Sequence, residues 1–150
     1  MRFSAKAEYG VKAILELATQ TGSDPVQVRN IAKKQGLPVR FLEQVMNALK
    51  KGGLVESVRG AQGGYLLNRS PKEISLGDVL KAIDGQMTEM RCISDRKQPK
   101  CDDAGNCVVQ DVWSEVKQSF VGILNSITLQ DLCDRKRQKE RQRKVLMFHI

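Results

Sequence analysis

The 150-residue sequence predicts a mainly α-helical protein with one small β-hairpin and one long helix in its second half. Apolar residues recur at helical spacing in several stretches, and one glycine-broken segment, SVRGAQGGYLLNR, contains short strand-like runs. No stretch approaches the roughly 18 consecutive apolar residues of a membrane span. Because the first residues also lack the apolar core of a secretory signal, we expect a cytoplasmic protein.

Three helices are predicted before the glycine-broken segment. The first lies within AKAEYGVKAILELATQ and ends before Gly22. The second is shorter, begins at a capping residue before Pro25 and ends at Gly36. A tight Gly-Leu-Pro link leads to the third, VRFLEQVMNALKK, which places one set of apolar residues on the core side. These are Leu42, Val45, Met46 and Leu49.

The opposite face of the third helix carries polar side chains that can hydrogen-bond base edges or phosphates. They are Arg40, Glu43, Gln44, Asn47 and Lys50. Two short helices joined by a glycine-containing turn, the second with a polar face, predict a helix-turn-helix. The following hairpin places Arg59 and Gln62 near its tip, among glycines that can adopt a positive φ. Together these elements predict a winged helix-turn-helix whose wing lies on DNA.

A fourth helix is predicted within EISLGDVLKAIDG. Ser75 occupies the N-cap, and Asp78 follows three residues later in the spacing of a capping box. Ile74 and Val79 are spaced as a hydrophobic staple, which fixes the angle at which the chain enters a helix. Gly85 supplies the end of the helix.

Three cysteines occur in a segment without helical or strand periodicity. Cys92, Cys101 and Cys107 are spaced C-x8-C-x5-C. Structural disulfides are not expected in a reducing cytoplasm, which favours metal binding or redox chemistry. From the residues alone the spacing is ambiguous, because zinc sites and ferredoxins use shorter spacings and a free cysteine is often only a small buried hydrophobe. The polar residues around these cysteines argue against simple core packing.

A long helix of about 20 residues, roughly 30 Å, is predicted after the cysteine segment. Its apolar stripe runs near the coiled-coil period and needs a partner surface, either its own domain or, as we favour, a second copy of the chain. The stripe comprises Val109, Val112, Trp113, Val116, Phe120, Ile123 and Ile127. The charged tail DRKRQKERQRKVLMFHI is expected to be mobile with a helical start, and to be solvated rather than to add phosphate contacts.

The positive charge is unevenly distributed along the chain. Residues 1–85 carry 13 Lys and Arg against 8 Asp and Glu, whereas residues 86–133 carry 5 against 7. Residues 134–150 carry 7 against 2. Such a bias suits a polyanionic partner. The expected organisation is a winged helix-turn-helix domain (1–85), a cysteine-containing loop (86–107), a dimerisation helix (108–132) and a basic tail (133–150).

The run GAQGGYLLNRSPKEISLGDVLKAIDG, with the helices before it, resembles the iron-sulfur cluster regulator and nitric-oxide-sensing repressor family of bacterial winged-helix transcription factors. The resemblance extends from Met1 to about Leu132. It implies a homodimer that binds a palindromic site in double-stranded DNA, with the recognition helix in the major groove and the wing at the minor groove. By position it implies base contacts from Arg40, Glu43 and Gln44 and a wing contact from Arg59.

The resemblance also implies that Cys92, Cys101 and Cys107 hold an iron-sulfur cluster, for which we favour 2Fe-2S over 4Fe-4S. Members that regulate cluster assembly have a histidine three residues after the third cysteine, whereas this chain has Gln110. Members that sense nitric oxide use a carboxylate from the partner subunit, and Glu8 stands at the corresponding place. We therefore expect Glu8 as the fourth ligand and Cys133 to take no part.

These features lead to one hypothesis and several alternatives. A cluster between the DNA-binding domain and the dimer helix can change the spacing of two recognition helices, and so change DNA affinity. A regulator of the same family without a cluster, controlled by a partner protein or small molecule, remains open. We do not expect an enzyme, because no histidine near the thiols can serve as a base. A zinc or RNA-binding module leaves the order of recognition helix and wing unexplained.

Overall fold

The computed structural model describes residues 3–20, 24–85 and 107–148. These described residues form six helices and a two-stranded antiparallel sheet, which confirms the expected mainly α-helical fold class with one hairpin. The elements in chain order are α1 (Ala5–Thr19), α2 (Val28–Gln35), α3 (Val39–Lys51), β1 (Val55–Val58), β2 (Gly64–Leu67), α4 (Leu76–Asp84), α5 (Val108–Ser126) and α6 (Leu129–Phe148).

Helix α1 lies at the centre of the fold and contacts α2, α3, α4, α6 and β2. Its Ile14 is fully buried in one hydrophobic core with Leu42 of α3 and Val79 of α4. Gly10 lets α1 approach α4 closely, because a Cβ there would force the Cδ1 end of the Ile83 side chain to move. The helix-turn-helix formed by α2 and α3 is thus packed on a helix that also contacts the C-terminal part of the chain.

The ends of α4 form as predicted. The Ser75 hydroxyl accepts a hydrogen bond from the Asp78 backbone N–H at 3.0 Å, and the Asp78 carboxylate accepts one from the Ser75 N–H at 3.0 Å. Ile74 and Val79 are both fully buried, as expected of a hydrophobic staple. Gly85 closes the helix at a positive φ of 75°. This reciprocal capping satisfies two backbone donors that helix ends leave without a partner.

Helix α2 begins later than the sequence predicts. The expected start before Pro25 is wrong, because the helix begins at Val28 with Gln27 as its N-cap residue. Val26 is instead paired with Tyr65 of the hairpin, and extended backbone is incompatible with a helical turn there. The predicted end is confirmed, since Gly36 adopts a left-handed conformation with φ 66°.

The C-terminal part of the chain forms two helices. The expected single helix over 108–132 is interrupted at Ile127 and Thr128, where the chain pairs with the segment before α4. Ile127 accepts a hydrogen bond from the Leu76 N–H at 2.7 Å, and the Leu129 N–H donates to Ile74 at 2.9 Å. The expected mobile tail over 133–150 is also wrong, because α6 continues as a helix through Phe148. Arg, Lys, Gln and Glu, which dominate this segment, all favour helix formation.

Candidate nucleic-acid interface

Helix α3 separates apolar and polar side chains onto two faces, as predicted. Its four core residues are fully buried, whereas the polar side chains proposed to meet DNA are exposed. The exposed set is Arg40, Glu43, Gln44, Asn47 and Lys50. A solvent-facing strip of hydrogen-bonding groups on a helix that is rigidly held by its other face is the geometry that fits a DNA major groove.

One member of this strip is tied to the wing. The ammonium group of Lys50 donates a hydrogen bond to the Ser57 hydroxyl of β1 at 2.5 Å. This bond connects the C-terminal end of the recognition helix to the first strand of the hairpin. Lys50 therefore orients the wing in the free protein, a role that helical spacing alone does not reveal.

The wing is fixed to the helix-turn-helix by backbone contacts. Val26 and Tyr65 exchange two hydrogen bonds, each 2.9 Å long. A Cβ on Gly64 would collide with the Val26 carbonyl oxygen, so this close approach requires glycine. The Gln27 side-chain amide also donates to the Ala61 carbonyl near the wing tip at 3.3 Å. The roles of Val26 and Gln27 in holding the wing were not predicted, since nothing in their local spacing indicates contact with a hairpin more than thirty residues away.

The wing tip presents the predicted polar side chains to solvent. Arg59 and Gln62 are both exposed, next to Gly60 with φ 113°. A Cβ on Gly63 would collide with the Val58 carbonyl oxygen, so that glycine closes the turn. These glycines therefore set the backbone path, as expected, and leave Arg59 free to contact an external group.

Glu8 lies on the exposed side of α1, with 63% of its side chain accessible. Its carboxylate pairs with Lys12 at 2.9 Å, one helical turn away. The hydrogen bond to Glu8 and the negative charge of Glu8 raise the pKa of Lys12. The Lys12 ammonium also lies 5.3 Å from the centre of the Tyr9 ring, which packs edge-on against Phe41 of α3 at 5.7 Å. An exposed ion pair within a helix is weak, so a different cation can replace Lys12 as the partner of the Glu8 carboxylate.

Cys107 is the N-cap residue of α5, half-buried and with a free thiol. A partly exposed cysteine without a disulfide can bind a metal ion through its sulfur. Cys92 and Cys101 lie outside the described residues, so the structure does not test whether the three thiols converge. The part of the chain that is described contains no group of three or more residues able to hold a metal ion.

Cys133 is almost completely inaccessible on α6. Burial raises the pKa of its thiol, which keeps the sulfur protonated. A buried, protonated thiol is a poor metal ligand. This environment agrees with the expectation that Cys133 takes no part in a metal site.

Most of the apolar stripe on α5 remains exposed. Val109 and Ile123 are each 60% accessible, and Trp113 is 37% accessible. Packing within the described residues covers only part of the stripe, mainly at Phe120, which stacks on Phe3 with ring centres 6.0 Å apart. The helix thus retains an apolar face that the described part of the chain does not cover.

A helix-turn-helix with an exposed polar recognition face, beside a glycine-shaped hairpin held against it, defines a winged-helix DNA-binding protein. Residues 3–135 match the Rrf2 family, described as an iron-dependent transcriptional regulator. The chain belongs to this family, and it is a DNA-binding transcriptional regulator of the IscR type. The resemblance noted from the wing sequence is confirmed.

Individual relatives and structures agree with this assignment. The HTH-type transcriptional regulator IscR of Pectobacterium carotovorum is 36% identical over 136 residues, which cover 91% of this chain and 81% of that protein. The structure of IscR from T. potens has a TM-score of 0.70 at 38% identity and covers 91% of this chain and 88% of that one. CymR, the global cysteine regulator of B. subtilis, has a TM-score of 0.74 at 30% identity, with coverage of 90% and 98%.

No helix in residues 3–20, 24–85 or 107–148 has the length and apolar character needed to cross a membrane.

Proposed function

We propose that the protein is a homodimeric cytoplasmic regulator whose affinity for a palindromic DNA site is controlled by an iron-sulfur cluster, with 2Fe-2S favoured over 4Fe-4S. The thiolates of Cys92, Cys101 and Cys107 would hold the cluster together with Glu8 of the partner subunit. The observation that carries the proposal is the free, half-buried thiol of Cys107 at the start of α5. It stands between the winged-helix unit and the helix with the uncovered apolar face.

The residues present fit such a group in their chemistry. Thiolates are the usual ligands of iron-sulfur clusters, and Cys107 carries a free, half-buried thiol. Within the described residues Glu8 pairs with a surface lysine, and such an exposed pair is weak enough for the carboxylate to bind a cluster instead. A bound cluster supplies a centre that gains or loses electrons. An oxygen ligand beside three sulfurs would bind more weakly than a fourth thiolate and make the site responsive.

Anaerobic purification tests the cluster directly. We expect a brown protein that contains iron and acid-labile sulfide, and a large loss of both in Cys107→Ala. Glu8→Gln should retain part of the cluster and lose it faster in air. Gln110→Ala is the matched control, because it stands where cluster-assembly regulators have a histidine, and it should bind iron as the wild type does. DNA titrations of cluster-free, oxidised and reduced protein follow, and equal affinities would remove the sensing role.

For DNA recognition we propose that Arg40, Glu43, Gln44 and Asn47 contact bases, while Lys50 orients the wing through Ser57, and Lys50, Arg59 and Gln62 contact the DNA backbone or minor groove. A substitution at a base-contacting arginine typically costs about 1–3 kcal/mol and relaxes specificity at one position. We therefore expect Arg40→Ala to lower the preference for one base pair. Arg59→Ala should weaken binding to every duplex that has the same base-pair step at the position contacted by the wing.

For the homodimer we propose that the exposed stripe of α5 packs against the same stripe of a second chain. Val112→Glu should give a monomer in light-scattering measurements, since it places a charge in the apolar contact. Gln118→Glu is the matched control, because Gln118 is exposed on the side of α5 opposite the stripe. A dimer that survives Val112→Glu would contradict this interface.

The similarity to CymR, a cysteine regulator, supports one second candidate. In that case the same dimer would respond to a partner protein or small molecule without a cluster. Colourless protein from strictly anaerobic cells, with DNA affinity equal to that of Cys107→Ala, would favour it.

A further inference from the structure

Apart from Lys136, which pairs with Glu16, the basic part of α6 takes no part in the hydrophobic core or in the proposed cluster site. Residues 134–144, DRKRQKERQRK, are helical and contain seven Lys and Arg, two Asp and Glu, and no apolar residue. The match to the family ends at residue 135, so almost all of this segment lies outside the part shared with the family. The chain therefore carries an ordered cationic helix beyond the common fold.

Most of these charges are not balanced within the described residues. Lys136 pairs with Glu16 at 3.5 Å, and Arg137 pairs with Asp134 at 3.7 Å. Lys139, Arg141, Arg143 and Lys144 are exposed, and none of them has an ion pair in the described part of the chain.

The spacing of these cations adds repulsion along the helix. Arg137 and Arg141 are four residues apart, as are Lys139 and Arg143, and like charges at this spacing destabilise a helix. Cations near a helix C-terminus are favoured by the helix dipole, but only within the last turn. An external polyanion would relieve the repulsion and stabilise this helix.

The start of α6 is held firmly against the DNA-binding unit. Cys133 is buried, and Lys136 shares the buried Glu16 carboxylate with Lys34 of α2. The basic part of α6 therefore begins beside the C-terminal end of the first helix of the helix-turn-helix. From Lys136 to Lys144 the helix extends about 12 Å. This length is comparable to the space occupied by several phosphates of a duplex.

We propose that residues 134–144 form a second DNA-contacting element, which binds phosphates that flank the site contacted by α3 and the wing. The proposal rests on the DNA-binding function. A protein groove or a membrane surface would need an apolar stripe along the helix, whereas residues 134–144 have no apolar residue and the exposed Val145, Leu146 and Met147 are consecutive. Cations distributed around a helix suit the phosphate backbone, which offers charge without side-chain pockets. The contact adds affinity for any duplex and leaves base preference to α3.

The test compares the full-length wild type with Arg141→Gln/Lys144→Gln. Glutamine keeps the helix propensity of the residues that it replaces, and circular dichroism verifies that the helix remains. Binding is measured by fluorescence anisotropy on a labelled duplex enriched from a random pool by the wild-type protein, over a series of potassium chloride concentrations. We expect the slope of log K against log salt to become shallower by about 0.9 for each phosphate that the variant no longer neutralises. Preference for the enriched over a scrambled duplex should not change.

The matched control is Lys72→Gln/Lys81→Gln, which removes the same charge from two exposed positions, one before α4 and one within it. It should retain the wild-type slope. Equal slopes in all three proteins, or an equal reduction in both variants, would overturn the proposal while leaving the DNA-binding function intact. A wild type that binds no duplex would overturn both. Unchanged DNA slopes, with weaker binding of the α6 variant to polyglutamate, would assign α6 to an acidic protein partner and overturn the DNA contact.

Discussion

Val26 and Tyr65 are joined by two backbone hydrogen bonds of 2.9 Å, which fasten the wing to the extended segment just before α2. The pair connects the two parts of the proposed DNA interface through main-chain atoms. The wing is thus held to the helix-turn-helix by backbone atoms, independently of the side chains proposed to contact DNA.

Gly64→Ala tests this connection. The added methyl group would collide with the Val26 carbonyl, so we expect the pair to open and the protein to lose about 2 kcal/mol of stability, roughly that of two backbone hydrogen bonds. DNA affinity should fall as well, since the wing is no longer held. Chemical unfolding and DNA titration measure the two effects. Ala61→Ser, at the exposed wing tip, is the control and should change neither.

Glu16→Gln tests how α6 is held. Glu16 is only 5% exposed, and it accepts hydrogen bonds from both Lys34 and Lys136. Removal of the charge should lower the free energy of unfolding by about 1–2 kcal/mol, a value reduced because Lys34 is mostly exposed. Hydrogen exchange should become faster in the first turns of α6. Glu140→Gln, at an exposed position on the same helix, should be neutral, and equal effects of the two substitutions would contradict this role.

Asp131 makes the stability of the start of α6 dependent on pH. Its carboxylate accepts hydrogen bonds from the Thr128 N–H and hydroxyl, each 2.8 Å long, and the backbone bond is the main reason that the pKa of Asp131 is lowered. A lowered folded pKa means that the stabilisation is complete above the unfolded value of about 3.9 and is lost as the pH falls through the folded pKa.

Urea unfolding of Asp131→Asn at several pH values measures this effect. The variant should be less stable than the wild type at neutral pH, and the difference should shrink in strongly acidic buffer. Asp24→Asn, at an exposed position before α2, is the control and should show a smaller difference with no comparable trend. A difference for Asp131→Asn that is constant with pH would show that its ionisation does not stabilise the fold.

Cys133 should be the slower of the two described cysteines to react with an alkylating reagent. Its thiol is buried and its pKa is raised by that burial, whereas Cys107 is half-buried at a helix end. Because only the thiolate reacts and burial also blocks the reagent, we expect Cys133 to react about tenfold more slowly, or slower still, in metal-free native protein. Peptide mass mapping locates the modified residue. The difference should vanish in denaturant, and early labelling of Cys133 in the native protein would contradict its burial.

The sequence determined the features that depend on neighbours within about one helical turn. The two faces of α3 follow from the spacing of its apolar residues, and the α4 capping box follows from Ser75 and Asp78 at the right separation. The end of α2 at Gly36 and the turn at Gly60 follow from the conformational freedom of glycine. The candidate ligand Glu8 and the three-cysteine loop were also visible, although Cys107 is the one cysteine of that loop within the described residues.

Only the tertiary structure decided where the chain departs from its local preferences. The late start of α2, the break at Ile127 and the partners of Glu16 all depend on groups far apart in sequence, and Lys136 is 120 positions from Glu16. The spacing of neighbouring residues does not reveal which distant segment will hydrogen-bond to unpaired backbone groups. Nor does it reveal which cation will pair with a buried carboxylate. The same reason explains why a segment that looks like a solvated tail is instead an anchored helix.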